Sequence, residues 1–126
     1  MRFLIILCSL SFFGLSAQKN ETIFFKSANP FALSDIINNL ENQQHQDVFG
    51  RLVIPKDSVN ENKKFPLIIA VAGSLGWRDH HYDYLEMYQK NGFATFELNS
   101  FKSRDIKSTV GSQIEVTTAT IILDAY

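Results

Sequence analysis

The sequence is poor in cysteine, proline, glycine and net charge, and each shortage closes off a class of protein. Cys8 is the only cysteine, and it falls in an apolar stretch at the very start. The rest of the chain therefore has no disulfide, no thiolate metal ligand and no thiol nucleophile. Three prolines and six glycines in 126 residues rule out collagen-like and low-complexity architecture. A formal net charge of -1 supplies no field to draw nucleic acid or an anionic membrane surface. The leading apolar run, Phe3 to Phe13, is too short to span a bilayer comfortably. No Gly-x-Ser-x-Gly occurs between Met1 and Tyr126, and no segment repeats.

What remains is the composition of one small globular domain, 45% hydrophobic and 20% charged. Its first residues read as a targeting segment. Arg2 is a basic n-region, Phe3 to Phe13 an apolar h-region, and Ser16-Ala17 a small-residue cleavage site. The expectation is a signal peptide over residues 1–17, cut after Ala17, with an uncleaved anchor as the alternative. That makes residues 18–126 a secreted or periplasmic domain. Ile5-Ile6-Leu7 ahead of Cys8 are too bulky for a lipoprotein signal.

The domain is organised around Phe65 to Trp77. Pro66 sets a strand entrance, because it has no N–H to give a ladder. Leu67 to Ala72 is apolar throughout, the pattern of a strand buried on both faces in a parallel sheet. Gly73-Ser74-Leu75-Gly76 lets the backbone turn sharply and leaves amide N–H groups unblocked. Asp79 to Lys90 then carries Tyr84, Leu85, Tyr88 and His81 at helical spacing, and Asn91-Gly92 closes the helix. Phe93 to Leu98 is a further strand. Strand, helix, strand is a βαβ unit, so the predicted class is α/β with a mostly parallel sheet.

Before it, Thr22 to Lys26 and Val48 to Pro55 read as strands, and Ser34 or Asp35 opens a short helix bearing Ile36, Ile37 and Leu40. Asn38 to Gln46 and Asn99 to Ser112 read as loops, and Lys56 to Lys64 as an exposed connection. Ile114 to Tyr126 opens a helix.

Read together, these residues resemble dienelactone hydrolase-type α/β-hydrolases. Phe65 to Gly76 is similar to that family's third strand and oxyanion loop. Asn91 to Phe101 is similar to its Gly-Tyr/Ile-Ala-Val strand ending in Asp-Ser-Phe. Ser103-Arg104-Asp105-Ile106, Thr109 to Gln113 and Asp124-Ala125-Tyr126 follow in family order. Asn29-Pro30-Phe31 and Gly50 to Pro55 also sit where members carry similar segments. Two positions depart: Ala72 stands for the family's His, and Asn99 for its Asp.

The resemblance implies an incomplete α/β-hydrolase fold. It implies the N-terminal part of a serine hydrolase acting on small esters or lactones, inactive alone because nucleophile, acid and base are missing. The Ser74 backbone N–H would be one oxyanion donor, on a turn supported by Gly73, Leu75 and Gly76. No cofactor or metal is implied. It also leaves Leu67 to Ala72 without its second neighbour, an open edge prone to self-association or to accepting a donated strand. A non-catalytic binding or interaction module on a half sheet is the alternative function.

Other constellations read as structural. Ser74 follows Gly73 but lacks the Gly two positions before it that a nucleophile turn carries, and a plain turn is its alternative role. His80-His81 with Asp79 and Asp83 fits a solvated helix start better than a metal site, because zinc prefers spacings that share a helix face. Gly73 to Gly76 lacks both phosphate-loop spacings. Tyr82, Tyr84 and Tyr88 read as packing or surface residues of the helix. His45 reads as an exposed loop residue and Asp124 as a structural polar residue.

Overall fold

The computed structural model describes residues 18–56 and 64–126. The expected signal peptide, and nearly all of the expected connection 56–64, lie outside the described residues. The elements run β1 (Lys19–Ala28), α1 (Leu33–Asn38), β2 (His45–Ile54), β3 (Leu67–Val71), α2 (Asp79–Lys90), β4 (Ala94–Leu98) and α3 (Thr118–Ala125). Single 3-10 turns lie at Leu40–Asn42 and Lys102–Arg104. No described helix is long and apolar enough to cross a membrane.

The four strands form one sheet in the order β1-β2-β4-β3. β1 and β2 pair antiparallel along their whole length, from Lys19 opposite Ile54 to Ala28 opposite His45. β2 and β4 are also antiparallel, and among the described residues only β3 and β4 are parallel. The protein is thus mixed α/β, and the mostly parallel sheet expected from the sequence is corrected. The βαβ unit is present as β3, α2 and β4, but two antiparallel pairs outweigh its one parallel pair. The expected loop 38–46 is shortened in the same way, because β2 begins at His45, whose side chain is exposed.

Alternation places the helices. Thr95 and Glu97 of β4 share a face with Ile68 and Ala70 of β3. α2 covers that face: Leu85 is buried, and Gln89 Nε2 donates to Thr95 Oγ1 at 2.7 Å. The opposite face carries Phe25 and Phe96, whose rings meet at 6.4 Å, and Gly50 leaves the space that the Phe96 ring fills. α3 packs over the β1 end of this face, with Val116, Ala119 and Thr120 buried.

That division overturns a second expectation. β3 is not an interior ribbon covered on both sides. It is the last strand of the described sheet, and Leu67, Ile69 and Val71 stay 50%, 44% and 47% exposed. α2 shields only the Ile68/Ala70 face, while α3 sits at the far side of the sheet. The unbroken apolar run therefore reflects two different environments, one half-buried and one open.

α3 starts later than the sequence suggests. Thr117 Oγ1 caps it by accepting the Thr120 N–H at 3.1 Å, and both threonine hydroxyls donate to the Pro30 carbonyl. Ile114 lies before this cap and is 70% exposed. At α1, Asp35 sits inside the helix rather than at its cap. Its Oδ2 reaches back to the N–H groups of Phe31 and Ala32.

Candidate functional site

A cleft of about 570 Å³ lies at the carboxyl ends of β3 and β4. That is the edge where α/β sheets place ligands, and the volume lies in the range of small-molecule sites. Its walls are Val71 and Ala72 at the end of β3, Leu75 to Arg78 after it, Tyr82 of α2, Glu97 to Lys102 at and beyond the end of β4, Asp105 to Lys107 further along that loop, and Ile121 of α3.

The glycine turn is fixed from both sides. Gly76 N–H donates to the Gly73 carbonyl at 2.8 Å, and Gly76 takes the left-handed conformation at φ 73°. The Ser74 carbonyl accepts from Thr109 N–H at 2.9 Å and from Ser108 Oγ at 3.0 Å. So the loop after β4 clamps the loop after β3. Leu75 and Gly76 line the cleft, whereas Gly73 and Ser74 form its exposed outer corner. Among the described residues no acceptor meets the Ser74 N–H.

Trp77 closes the floor. Its indole Nε1 donates to the Leu98 carbonyl at 3.1 Å, and its ring stacks on Tyr82 with centroids 5.7 Å apart. Tyr82 thus takes a place on the wall, while Tyr84 stays exposed and Tyr88 packs edge-on against Phe93. Burial, and then the nearby Glu97 carboxylate, raise the Tyr82 hydroxyl above its ordinary pKa of 10.0.

Buried polar residues line the β4 side. Glu97 Oε2 accepts from Arg51 Nε at 3.0 Å, a pair formed directly across strands β2 and β4. Asn99 Nδ2 donates to the Glu97 carbonyl at 3.1 Å and lies 3.3 Å from its carboxylate. Ser100 is 6% exposed, and its Oγ has no partner among the described residues. Asn99 thus puts a neutral hydrogen-bonding side chain there, facing a carboxylate that a second anion would repel.

The His80 and His81 rings lie side by side, 4.0 Å between centroids. His81 Nδ1 accepts the Arg78 N–H at 2.9 Å, a helix-capping task. Among the described residues no three metal-ligating side chains gather. Asp124 is buried and structural, paired with Arg104 behind the cleft. Glu97 was legible only as part of a strand, Ser100 as part of the loop 99–112, and Trp77 as the residue after the glycine turn. The signal that marks them is position, the carboxyl edge of a parallel pair.

No family model matches this sequence, and no curated protein or solved structure matches it.

Proposed function

We propose that the chain is the N-terminal part of a secreted or periplasmic serine hydrolase of the dienelactone hydrolase type, acting on small esters or lactones. The observation that carries the reading is the cleft at the carboxyl ends of β3 and β4, with the glycine turn on its rim. The strand order supports it. β4 flanks β3 on one side, and the other edge of β3 pairs with nothing described, as the resemblance implies.

In this reading the nucleophilic serine, acid and histidine lie outside residues 1–126. The serine attacks the carbonyl carbon, the histidine takes its proton, and water later releases the acyl group. The Ser74 N–H is one of two donors to the oxyanion, and losing one such donor costs roughly 2.7–4 kcal/mol of barrier. The reaction calls for no metal or organic cofactor. Residues 1–126 alone are inactive.

Two measurements test this. Purified 1–126 is assayed on short p-nitrophenyl esters and is expected to be silent; turnover abolished by Ser74→Pro would contradict the inactivity. The coding DNA directly downstream is read in all frames and is expected to encode an apolar strand followed by Gly-x-Ser-x-Gly. If no frame does, the hydrolase reading falls. The second reading, a non-catalytic binding module, then stands, because residues 71–121 already wall the cleft.

A further inference from the structure

An edge strand with open ladder groups templates pairing with another chain unless charge, proline or a bulge interrupts it. β3 has none of these between Leu67 and Val71. The Ala94 N–H donates to the Pro66 carbonyl at 2.9 Å, so alternation turns the backbone groups of Ile68 and Ala70 to β4 as well. Leu67, Ile69 and Val71 turn theirs the other way, to the side of β3 where no described strand lies. The same three residues carry the half-exposed side chains of the uncovered face.

α2 continues this apolar border in the second layer. Tyr82 lies within reach of the Glu97 and Arg51 charges, and Gln89 bonds Thr95, so that flank of the helix looks toward β4 and β2. Tyr84 stands on the opposite flank, toward the edge of β3, with Met87 one turn on, and both are exposed. The helix's acids and Lys90 lie on its outer and β2-facing sides, leaving His80 beside Tyr84.

We propose that this edge docks a second copy of the chain. The two β3 strands pair antiparallel about a two-fold axis at Ile69, joining two four-stranded sheets into one. Three outward residues centred on Ile69 make the edge complementary to itself. Ile69 meets Ile69 of the second copy and Leu67 meets Val71, so every outward N–H and C=O of the three residues finds a partner. Any other register leaves some of them unpaired. Charges stay at the two ends. Lys64 precedes the strand and falls opposite Ser74 of the second copy, and Arg78 and Lys107 lie past the glycine turn. All three are cations, so the pair is expected to hold or tighten as salt screens them. The exposed halves of Leu67, Ile69, Val71, Tyr84 and Met87 amount to roughly 400–500 Å² a copy, or about 1,000 Å² a pair, the low end of specific interfaces. The expected association is weak, with a dissociation constant of about 10–100 µM. This goes beyond the hydrolase reading and does not rest on it; in a longer chain, a strand supplied at β3 would compete with the second copy.

Sedimentation velocity from about 1 to about 200 µM, spanning that constant, reads the association. It is expected to level off at two copies and to be no weaker in 0.5 M salt. Cys8 is the only thiol, so Cys8→Ser gives a background in which one introduced thiol reports the register. In a hydrogen-bonded antiparallel pair the Cα atoms stand about 5.5 Å apart, within reach of a disulfide. Ile69→Cys is therefore expected to cross-link to itself under mild oxidation, read on a non-reducing gel. Leu67→Cys lies four residues out of register with its own copy. It is expected to stay single alone and to join Val71→Cys when the two are mixed. A chain monomeric at the highest concentration, growth past two copies without a plateau, or dissociation in 0.5 M salt overturns the proposal. So does Ile69→Cys failing to cross-link, or Leu67→Cys cross-linking to itself as fast. Circular dichroism checks that the variants fold, and the sedimentation measurement on wild type needs none of them.

Discussion

Arg104 and Asp124 meet as a parallel two-bond pair, Nη1 to Oδ2 at 2.7 Å and Nη2 to Oδ1 at 3.0 Å, with side chains 4% and 0% exposed. The guanidinium has no donor left over. Nε reaches Asn29 Oδ1, Nη1 also reaches the Ser100 carbonyl, and Nη2 the Ala28 carbonyl. Ser27 Oγ completes the carboxylate at 2.6 Å. One ion pair thus ties the end of β1, the loop after β4 and α3 into a single support behind the cleft. Such saturation is what makes a buried pair tolerable, because each charge has lost its water.

Breaking that pair from one side leaves a buried cation unmatched. Asp124→Ala is expected to cost about 3–5 kcal/mol, much of the stability of a small domain. Urea unfolding followed by circular dichroism reads it. The double change Arg104→Met with Asp124→Leu should recover most of the loss, since both charges leave together. A single variant within 1 kcal/mol of wild type, or a double variant no better than the single, would show that α3 is held by something else.

This support also marks the limit of what the sequence discloses. α2 was legible to its exact ends, because Tyr84, Leu85 and Tyr88 recur at helical spacing and Asn91-Gly92 stops it. β4 was legible because its apolar run follows that stop. The Arg104–Asp124 pair was not, since the partners lie 20 residues apart in a loop and a helix and follow no period. β3 was legible as a strand, and through the resemblance as an open edge, but not as a strand with one face uncovered. Six apolar residues in a row say nothing about whether a second layer exists to cover them. The cleft was legible in part: Leu75 and Gly76 were singled out and line it, while Ser100 looks like any loop serine until burial is seen.

The glycine turn yields a paired test. Gly76 is left-handed, and a Cβ there would stand 3.3 Å from the Lys107 carbonyl oxygen. Gly76→Ala is expected to cost about 1–2 kcal/mol, the penalty of a side chain in that conformation. Gly73 has no heavy atom within 4 Å of a would-be Cβ and no positive φ. Gly73→Ala should therefore leave the melt within about 0.5 kcal/mol of wild type. If the two variants melt alike, Gly76 does not set the turn.

Alkaline pH gives a different handle on the same cleft. Burial and then Glu97 hold the Tyr82 phenol protonated above its ordinary pKa of 10.0. The folded value lies above the unfolded one, so this contribution is fully present below pH 10. It is lost as pH rises from there through the folded value. Wild type should lose stability across that window more steeply than Tyr82→Phe, which has no proton to release at this site. Melting temperatures at half-unit steps from pH 9 to 11.5 read the difference. Parallel curves for the two proteins would remove Tyr82 from the account.

The open edge of β3 makes the last prediction. Leu67, Ile69 and Val71 present about half their surface on the face that no helix covers, beside a ladder edge unpaired among the described residues. Such an edge templates pairing with another chain unless a charge interrupts it. Ile69→Lys places an ammonium at the middle of the stripe, where its stem can lie along the apolar face and its head in water. The expected cost is about 1 kcal/mol, since Ile69 is only partly buried. The expected gain is slower aggregation, read by light scattering at fixed concentration and 37 °C. Ile68→Lys is the control. It lies one residue away on the α2-covered face, so its charge loses water beneath the helix and should destabilise the domain and hasten aggregation. Opposite signs from adjacent lysines would follow only if the uncovered face of β3 drives the association, and Ile69→Lys aggregating as fast as wild type would place that drive elsewhere.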